Sequence, residues 1–554
     1  MARASLVAVS LSTLTRARHP CFQSLLLLIP QGKQGSIMNT SIATSVPPRA
    51  KIAQWCEWLG MALCILGAAT SLGMVFTGRT LWPDEAMLVF NLETRTLRNL
   101  VASPLDMCQT APLLYLYVLK GASSLLGGSE WVYRLPSAFA YIFLLGAVWW
   151  MARNLFKVSY PWLCAGFCAN LKVLLLYSTQ AKPYIGEALL VILVLAGHDT
   201  FLKGKLSWWG LAIIWILFGM LGNPVWFAVA GCMTYEVLNS VLRKDWRLMG
   251  RCLGVGAIFS ICMTIYFLAW LTEVAHSDGM QDYWRDSMLQ WPTSFAAIFH
   301  SAKIVWVLFA VQSFGFRAVY MVLLMGMSLF LGIWKKHRWE LIVWLTFGAA
   351  SGASCLNLFP ISMRLWVFAL PLCSLLVFWT VEQLVGRRHA PWRGVVLAGL
   401  AIANFGIVRW NPWNNYLYAR EVNDSIAFVQ EHLQDGESVY VHFEAFARVQ
   451  YKNGYGNLQM GPTSRDNVIF GGTFEQENEL EREVSLVQAT GSCWLIMAHR
   501  LPQKFLDLLG KTGTLEIVHE FQGTPVFYYR NNETCGTGTH LGEDNNPGLS
   551  QETT

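Results

Sequence analysis

Charge is what this sequence has least of. Only 14% of its 554 residues are Asp, Glu, Lys or Arg, against 54% hydrophobic, and the mean hydropathy is +0.38. A soluble chain carries about a quarter charged residues, so a wholly soluble globular protein is excluded. Metal-binding motifs are also missing. None of the thirteen cysteines forms a CxxC, and no Cys/His spacing suits zinc. Most of them (Cys64, Cys164, Cys168, Cys232, Cys262, Cys373) fall inside apolar runs and read as small packing residues. Nothing in the spacing of Cys493 and Cys535 argues for a disulfide. Residues 1–55 contain no Asp or Glu but carry Arg3, Arg16, Arg18, Lys33, Arg49 and Lys51. This stretch resembles a transit peptide; alternatively, translation starts at Met38 and leaves a short basic cytoplasmic tail. No internal repeat is visible, which weakens a transporter reading. The net charge of +6 lies in short clusters between apolar runs, an orientation signal rather than a nucleic-acid surface.

What is present is apolar sequence in bilayer-length runs. A spanning helix needs about 20 residues, and runs at 56–76, 136–156, 160–179, 183–202, 206–222, 223–242, 251–271, 318–334, 339–357, 365–382 and 392–409 predict about eleven of them. Segments 112–127 and 301–316 are ambiguous, and charge placement decides them. The basic clusters are Arg243-Lys244 with Arg247, Lys335-Lys336-His337-Arg338 and Arg387-Arg388-His389, with weaker ones at Arg153/Lys157 and Lys203/Lys205. If 112–127 crosses, the Lys203 and Arg243 clusters fall outside. If it does not, every cluster falls inside, as the positive-inside rule demands. The same test rejects 301–316 as a span, so both segments read as juxtamembrane helices that lie in the interface or re-enter it.

This threading collects the unusual polar residues on the outer surface. Trp82-Pro83-Asp84-Glu85 follows the first span; adjacent carboxylates beside a bilayer are costly unless paired or used, although Asp84 also suits a helix N-cap. Arg134 precedes the second span, where an outer-face Arg implies either a partner or a headgroup anchor. The corner Tyr177–Tyr184 brings Gln180, Lys182 and Tyr184 to the interface, with Lys182 placed to neutralise a phosphate or simply to snorkel. Phe359–Trp366 opens a late span with Arg364. Three cations opposite an acid pair read as an anion site facing an acid/base pair. Such a set suits sugar transfer from a polyprenyl phosphate. The leaving phosphate needs positive charge as the C1–O bond breaks, the acceptor hydroxyl needs a base, and no metal or other cofactor is required. The rival class is a polytopic transporter or lipid flippase.

In this order the motifs resemble the GT-C membrane glycosyltransferases of the protein O-mannosyltransferase and aminoarabinose-transferase type, grouped as glycosyltransferase family 39. The family pattern is matched at Asp84-Glu85, at Pro112-Leu113 with Tyr115, at Gly127 with Glu130 and Arg134-Leu135-Pro136-Ser137, at Gln180 with Lys182-Pro183-Tyr184, and at Pro360 with Arg364. The resemblance covers about residues 56–410. It implies Asp84, beside Glu85, as general base, Lys182, Arg364 and more weakly Arg134 as lipid-phosphate contacts, and Gln180 and Tyr184 in substrate binding. It also implies an inverting, mannosyltransferase-like transfer. Thr110, Ala111 and Lys182 depart from the pattern, Lys182 losing the bidentate fork of an Arg, which leaves the donor sugar and the phosphate geometry open.

The expected architecture is therefore an α-helical polytopic membrane protein. A GT-C-like catalytic domain occupies 56–410, with 77–135 as its first extracytoplasmic loop. A small extracytoplasmic α/β domain of unassigned chemistry follows at 416–530, and 531–554 is a disordered tail. The chain is expected in a bacterial inner or plasma membrane. Its partners are the lipid bilayer, a polyprenyl-phosphate sugar and an acceptor that is protein, lipid or glycan, with no nucleic acid.

Overall fold

The computed structural model describes residues 48–77, 81–106, 109–272, 284–308, 318–386, 390–407, 421–434, 436–442, 445, 468–471, 477–497, 503–521 and 524–532. The basic tail before Pro48 with Met38, the Arg387–His389 cluster, Cys535 and the end of the chain lie outside the described residues.

Helices occupy the expected apolar runs. They are α1 (Pro48–Val75), α2 (Pro83–Thr94), the single turn α3 (Asn99–Ala102), α4 (Leu113–Leu126), α5 (Glu130–Asn154), α6 (Pro161–Ala169), α7 (Lys172–Ser178), α8 (Tyr184–Leu202), α9 (Trp208–Leu221), α10 (Val225–Arg243), α11 (Trp246–Tyr266), α12 (Phe295–Val307), α13 (Ala318–Trp334), α14 (Arg338–Cys355), α15 (Ala369–Val385) and α16 (Ala390–Ile407). Among the described residues five helices are long and apolar enough to cross a bilayer by themselves, six if α6 and α7 count as one span.

Three helices depart from expectation. The run 160–179 is not one straight span. Proline opens α6, and Asn170 ends it by turning its side-chain amide onto Gly166 O (2.8 Å) and Leu63 O (3.4 Å); α7 then leaves at 68°. Hydropathy averaged over the run cannot register a side-chain to backbone bond. Second, α5 starts at Glu130 rather than 136, which brings Arg134 inside the helix. Third, the second juxtamembrane segment begins at Phe295, where the Ser294 hydroxyl caps the helix by accepting from Ala297 N (3.2 Å).

The tightest helix crossing is α1 against α6. A Cβ on Gly60 would lie 2.3 Å from Leu163 N, and one on Gly166 would lie 2.6 Å from Gly60 O. Small residues that let backbones touch are the usual adhesive of membrane helices. The end of the bundle away from Arg134 is tied by buried acids. Glu382 accepts from Ser159 N (2.6 Å) and Ser159 Oγ (3.1 Å), and Glu236 lies between His198 (3.2 Å) and Arg338 (3.3 Å). At the other end α11 runs into a π-helical turn, Phe267–Leu271.

After α16 the chain forms α17 (Glu421–His432), β1 (Ser438–Val441), β2 (Val468–Phe470), α18 (Glu477–Ala489), β3 (Ser492–Ile496), α19 (Gln503–Thr512), β4 (Gly513–Phe521) and β5 (Thr524–Asn531). The sheet order is β2-β1-β3-β5-β4, parallel among the first three strands and antiparallel at β3-β5 and β5-β4. Side chains alternate across β3. Trp494 and Ile496 join Ile426, Val429 and Val439 on one face, while Cys493 and Leu495 join Val487, Phe505 and Leu509 on the other.

One consequence is testable. Gly60→Val puts side-chain atoms into backbone, where no rotamer escapes, and overpacking of this kind costs about 1–3 kcal/mol or more. The expected result is loss of monodisperse protein, or a clearly lowered unfolding temperature in detergent. Gly73→Val on the same helix, where a Cβ meets nothing within 4 Å, should behave as wild type.

Candidate active site

The site is assembled around Glu85. Pro83 opens α2, and the Glu85 carboxylate turns back to accept the Trp82 N–H (2.8 Å), satisfying a donor that a helix start leaves open. Its other oxygen accepts the Ala181 N–H (2.7 Å) from the corner between α7 and α8. Arg134, four residues into α5, closes a two-pronged fork on it, with Nε to Oε1 at 3.1 Å and Nη2 to Oε2 at 3.0 Å. Arg134 is 0% and Glu85 1% exposed. Of the two expectations for Arg134, the structure gives the partner, Glu85, and not the headgroup anchor. Both charges of this pair are directed at each other, so neither presents itself to a substrate.

Asp84 precedes Glu85 by one residue, about 100° around the helix, and has the opposite environment. It is 35% exposed and accepts from Arg364 Nη1 at 2.6 Å. Arg364 lies over the Trp284 ring, 4.6 Å from its centroid, a cation–π contact. Its turn is pinned by Ile361 N to Ser287 O (2.8 Å). Lys182 is buried, and its ammonium donates to Gln109 Oε1 (2.9 Å). Burial pushes its pKa down, Asp84 opposes that, and Arg364 adds to it, so Lys182 is no snorkelling residue. Its carbonyl accepts from Ser137 Oγ (3.0 Å). Tyr184 sits edge-on to Tyr177 (5.1 Å) and within electrostatic reach of Arg364 and Asp84. Gln180 is half-buried, and its side chain makes no hydrogen bond among the described residues. Asp84, Arg364, Lys182 and Tyr184 are thus brought together, Glu85 and Arg134 lie behind them, and Gln180 stands aside.

Two partners escaped sequence reasoning. Gln109 had a signal, as a polar residue three positions before the motif proline. Trp284 had none, being one of 25 tryptophans. A pocket of about 290 Å³ opens beside Gln109, between residues 101–105 and the π-helical turn at 268–272.

These contacts constrain the threading. Residues 86–133 leave Glu85 and return to Arg134 at 3.0 Å. The 14-residue α4 between them is about 21 Å long, short of a hydrocarbon core of about 30 Å. It is tied at its start by Leu113 N to Tyr266 Oη (3.1 Å) and at mid-length by Lys120 Nζ to Leu92 O. Its length and these ties agree with a segment 112–127 that does not cross. The bond between Asp84 and Arg364 likewise places these two residues at the same end of the bundle.

No known family and no curated protein matches the sequence. The solved structure of ArnT from Cupriavidus metallidurans bound to undecaprenyl phosphate does match, with a TM-score of 0.52 at 13% identity over 88% of this chain and 100% of that one. The chain has the GT-C fold. The apo form of ArnT aligns at a TM-score of 0.44 and 13% identity over 86% of this chain and 99% of that one. The Archaeoglobus fulgidus oligosaccharyltransferase aligns at 0.43 and 11% identity over 70% and 61%. The fold assignment rests on the first match. Within this fold Asp84, Lys182 and Arg364 are brought together by α2, the α7–α8 corner and the turn before α15.

Because Glu85 and Arg134 are buried, deleting one partner strands the other. Glu85→Leu or Arg134→Met alone should destabilise by about 3–5 kcal/mol, read as a fall in unfolding temperature in detergent. The double variant should recover a large part of that loss. Single variants with unchanged unfolding would contradict the buried fork.

Proposed function

We propose that this protein transfers a sugar from a polyprenyl-phosphate donor to an acceptor hydroxyl on the extracytoplasmic face of a bacterial inner or plasma membrane. The reading rests on one observation: an accessible carboxylate, Asp84, held 2.6 Å from Arg364 and inside the field of Lys182, at one end of a membrane helix bundle. The undecaprenyl phosphate bound in the matching ArnT structure supports the donor class.

The proposed chemistry is a single displacement. Asp84 takes the proton of the acceptor hydroxyl, whose oxygen attacks C1 of the sugar as the C1–O bond to the phosphate breaks. The bonding pair leaves with the polyprenyl phosphate, and the anomeric centre inverts. Arg364 and Lys182 stabilise the charge that develops on the phosphate, where preorganised cations act most strongly. A guanidinium carries five donors, so Arg364 can hold Asp84 and the phosphate together and set their spacing. Two cations supply the neutralisation without a metal. Glu85 and Arg134 act as positioning residues rather than as base and phosphate ligand. The mannosyltransferase-like assignment is retained only at the level of a glycosyl donor.

In proteoliposomes supplied with labelled polyprenyl-phosphate sugars, Asp84→Asn should lower transfer by about 10²–10⁴-fold, the range of general-base catalysis, while donor binding persists. Arg364→Ala and Lys182→Ala should weaken donor binding. A chelator should leave the rate unchanged. Undiminished transfer by Asp84→Asn would remove the assigned base, and lipid movement across the bilayer without a glycosidic product would favour the flippase reading.

A further inference from the structure

Below the Lys182 corner lies a second polar group that the proposed reaction does not use. Glu187 sits in the first turn of α8, one turn further along the chain than Lys182, and is only 5% exposed. Among the described residues no cation faces it. Its Oε1 accepts the Asn223 N–H at 3.2 Å, and Gly222 packs so closely that a Cβ there would lie 2.8 Å from Glu187 Cγ. Three tyrosines from three helices lie within its electrostatic reach: Tyr115 on α4, Tyr184 on α8 and Tyr266 on α11. Tyr266 is held in place by the Leu113 N–H.

Two polar atoms of this group are buried without a partner among the described residues: the Tyr115 hydroxyl, in a side chain 7% exposed, and Asn223 Oδ1. Ser137 lies beside Tyr115 but donates its own proton to the Lys182 carbonyl. Buried polar atoms are nearly always satisfied, and exceptions need an explanation. Of these two, the amide oxygen accepts and the hydroxyl can play either part, and both lie beside the Glu187 carboxylate, itself an acceptor. The group calls for a ligand that presents several hydrogen-bond donors. The hydroxyls of a sugar ring do so, and Glu187 follows Lys182 by only five residues in the sequence.

We infer that Glu187, Asn223 and Tyr115 form the subsite that grips the hydroxyls of the donor's glycosyl group, with Glu187 determining which sugar is accepted. This rests on the lipid-linked-donor reading above. Corner-capping of α10 through Asn223 is the purely structural role that the test must separate from it.

The full-length protein in nanodiscs would be titrated with bare undecaprenyl phosphate and with its mannosyl, glucosyl, galactosyl and arabinosyl derivatives. For wild type, at least one glycosylated probe should bind more tightly than the bare lipid phosphate. Glu187→Gln and Tyr115→Phe should leave bare-phosphate binding within about twofold and cut the affinity for that glycosylated probe about tenfold, the scale of losing one charged hydrogen bond. Rejection of bare undecaprenyl phosphate by the wild type would instead remove the donor reading on which the inference stands. With bare lipid bound, the subsite is overturned if no glycosylated probe binds better, or if the sugar-dependent advantage survives in both variants.

Discussion

The structure depends on one buried ion pair. Taking a carboxylate and a guanidinium out of water costs several kcal/mol each, and their attraction offsets this only when geometry is excellent and the remaining lone pairs are filled. Glu85 and Arg134 meet both conditions. The fork supplies two parallel bonds, and the Trp82 and Ala181 N–H groups occupy further acceptor positions on the carboxylate. The same four donors come from three separate segments, so completing the pair registers the start of α2, the start of α5 and the α7–α8 corner against one another. A displacement of any of them would leave a charge exposed to a low-dielectric interior.

From that registration the division of labour between two neighbouring acids follows. Consecutive residues on a helix point about 100° apart. Once Glu85 is locked inward, Asp84 must face the crevice, where Arg364 meets it from the turn before α15. Lys182 is carried into the same place because its neighbour Ala181 is bonded to Glu85. The same contacts constrain the membrane threading: a chain that returns to within hydrogen-bond distance of its starting point has crossed the bilayer an even number of times, which agrees with an α4 that does not cross.

Much of this was legible in the sequence. The order of motifs from Asp84-Glu85 to Pro360 and Arg364 indicated the fold, and the short α4 agrees with the charge-based expectation that 112–127 does not cross. Sequence could not name partners 49 residues apart, as for Glu85 and Arg134, or 280 apart, as for Asp84 and Arg364. Arg134 was therefore left between a partner and a headgroup anchor, and the acid pair looked like a shared catalytic unit rather than one buried and one accessible carboxylate. The Asn170 break was hidden because an apolar average is blind to one amide bonding a carbonyl. Trp284 was hidden because an aromatic beside a membrane has many ordinary reasons to be there. After α16, the strand β2 and the helix α18 went unread. The first has only three residues, too few for alternation to show, and the second, Glu477–Ala489, has so many charges that its buried stripe of Leu480, Val484 and Val487 is hard to see.

The central claim is that the acid, the cations and the connecting loop occupy one side of the membrane. Its most direct test is labelling with a membrane-impermeant maleimide of single cysteines introduced at exposed Ser103, Leu126 and Leu358, in otherwise cysteine-free protein in sealed vesicles of known orientation. The account predicts that all three label from one side, and that a cysteine at Lys203 or Lys335 labels only from the other. Reaction of Leu126→Cys and Leu358→Cys from opposite sides would contradict it.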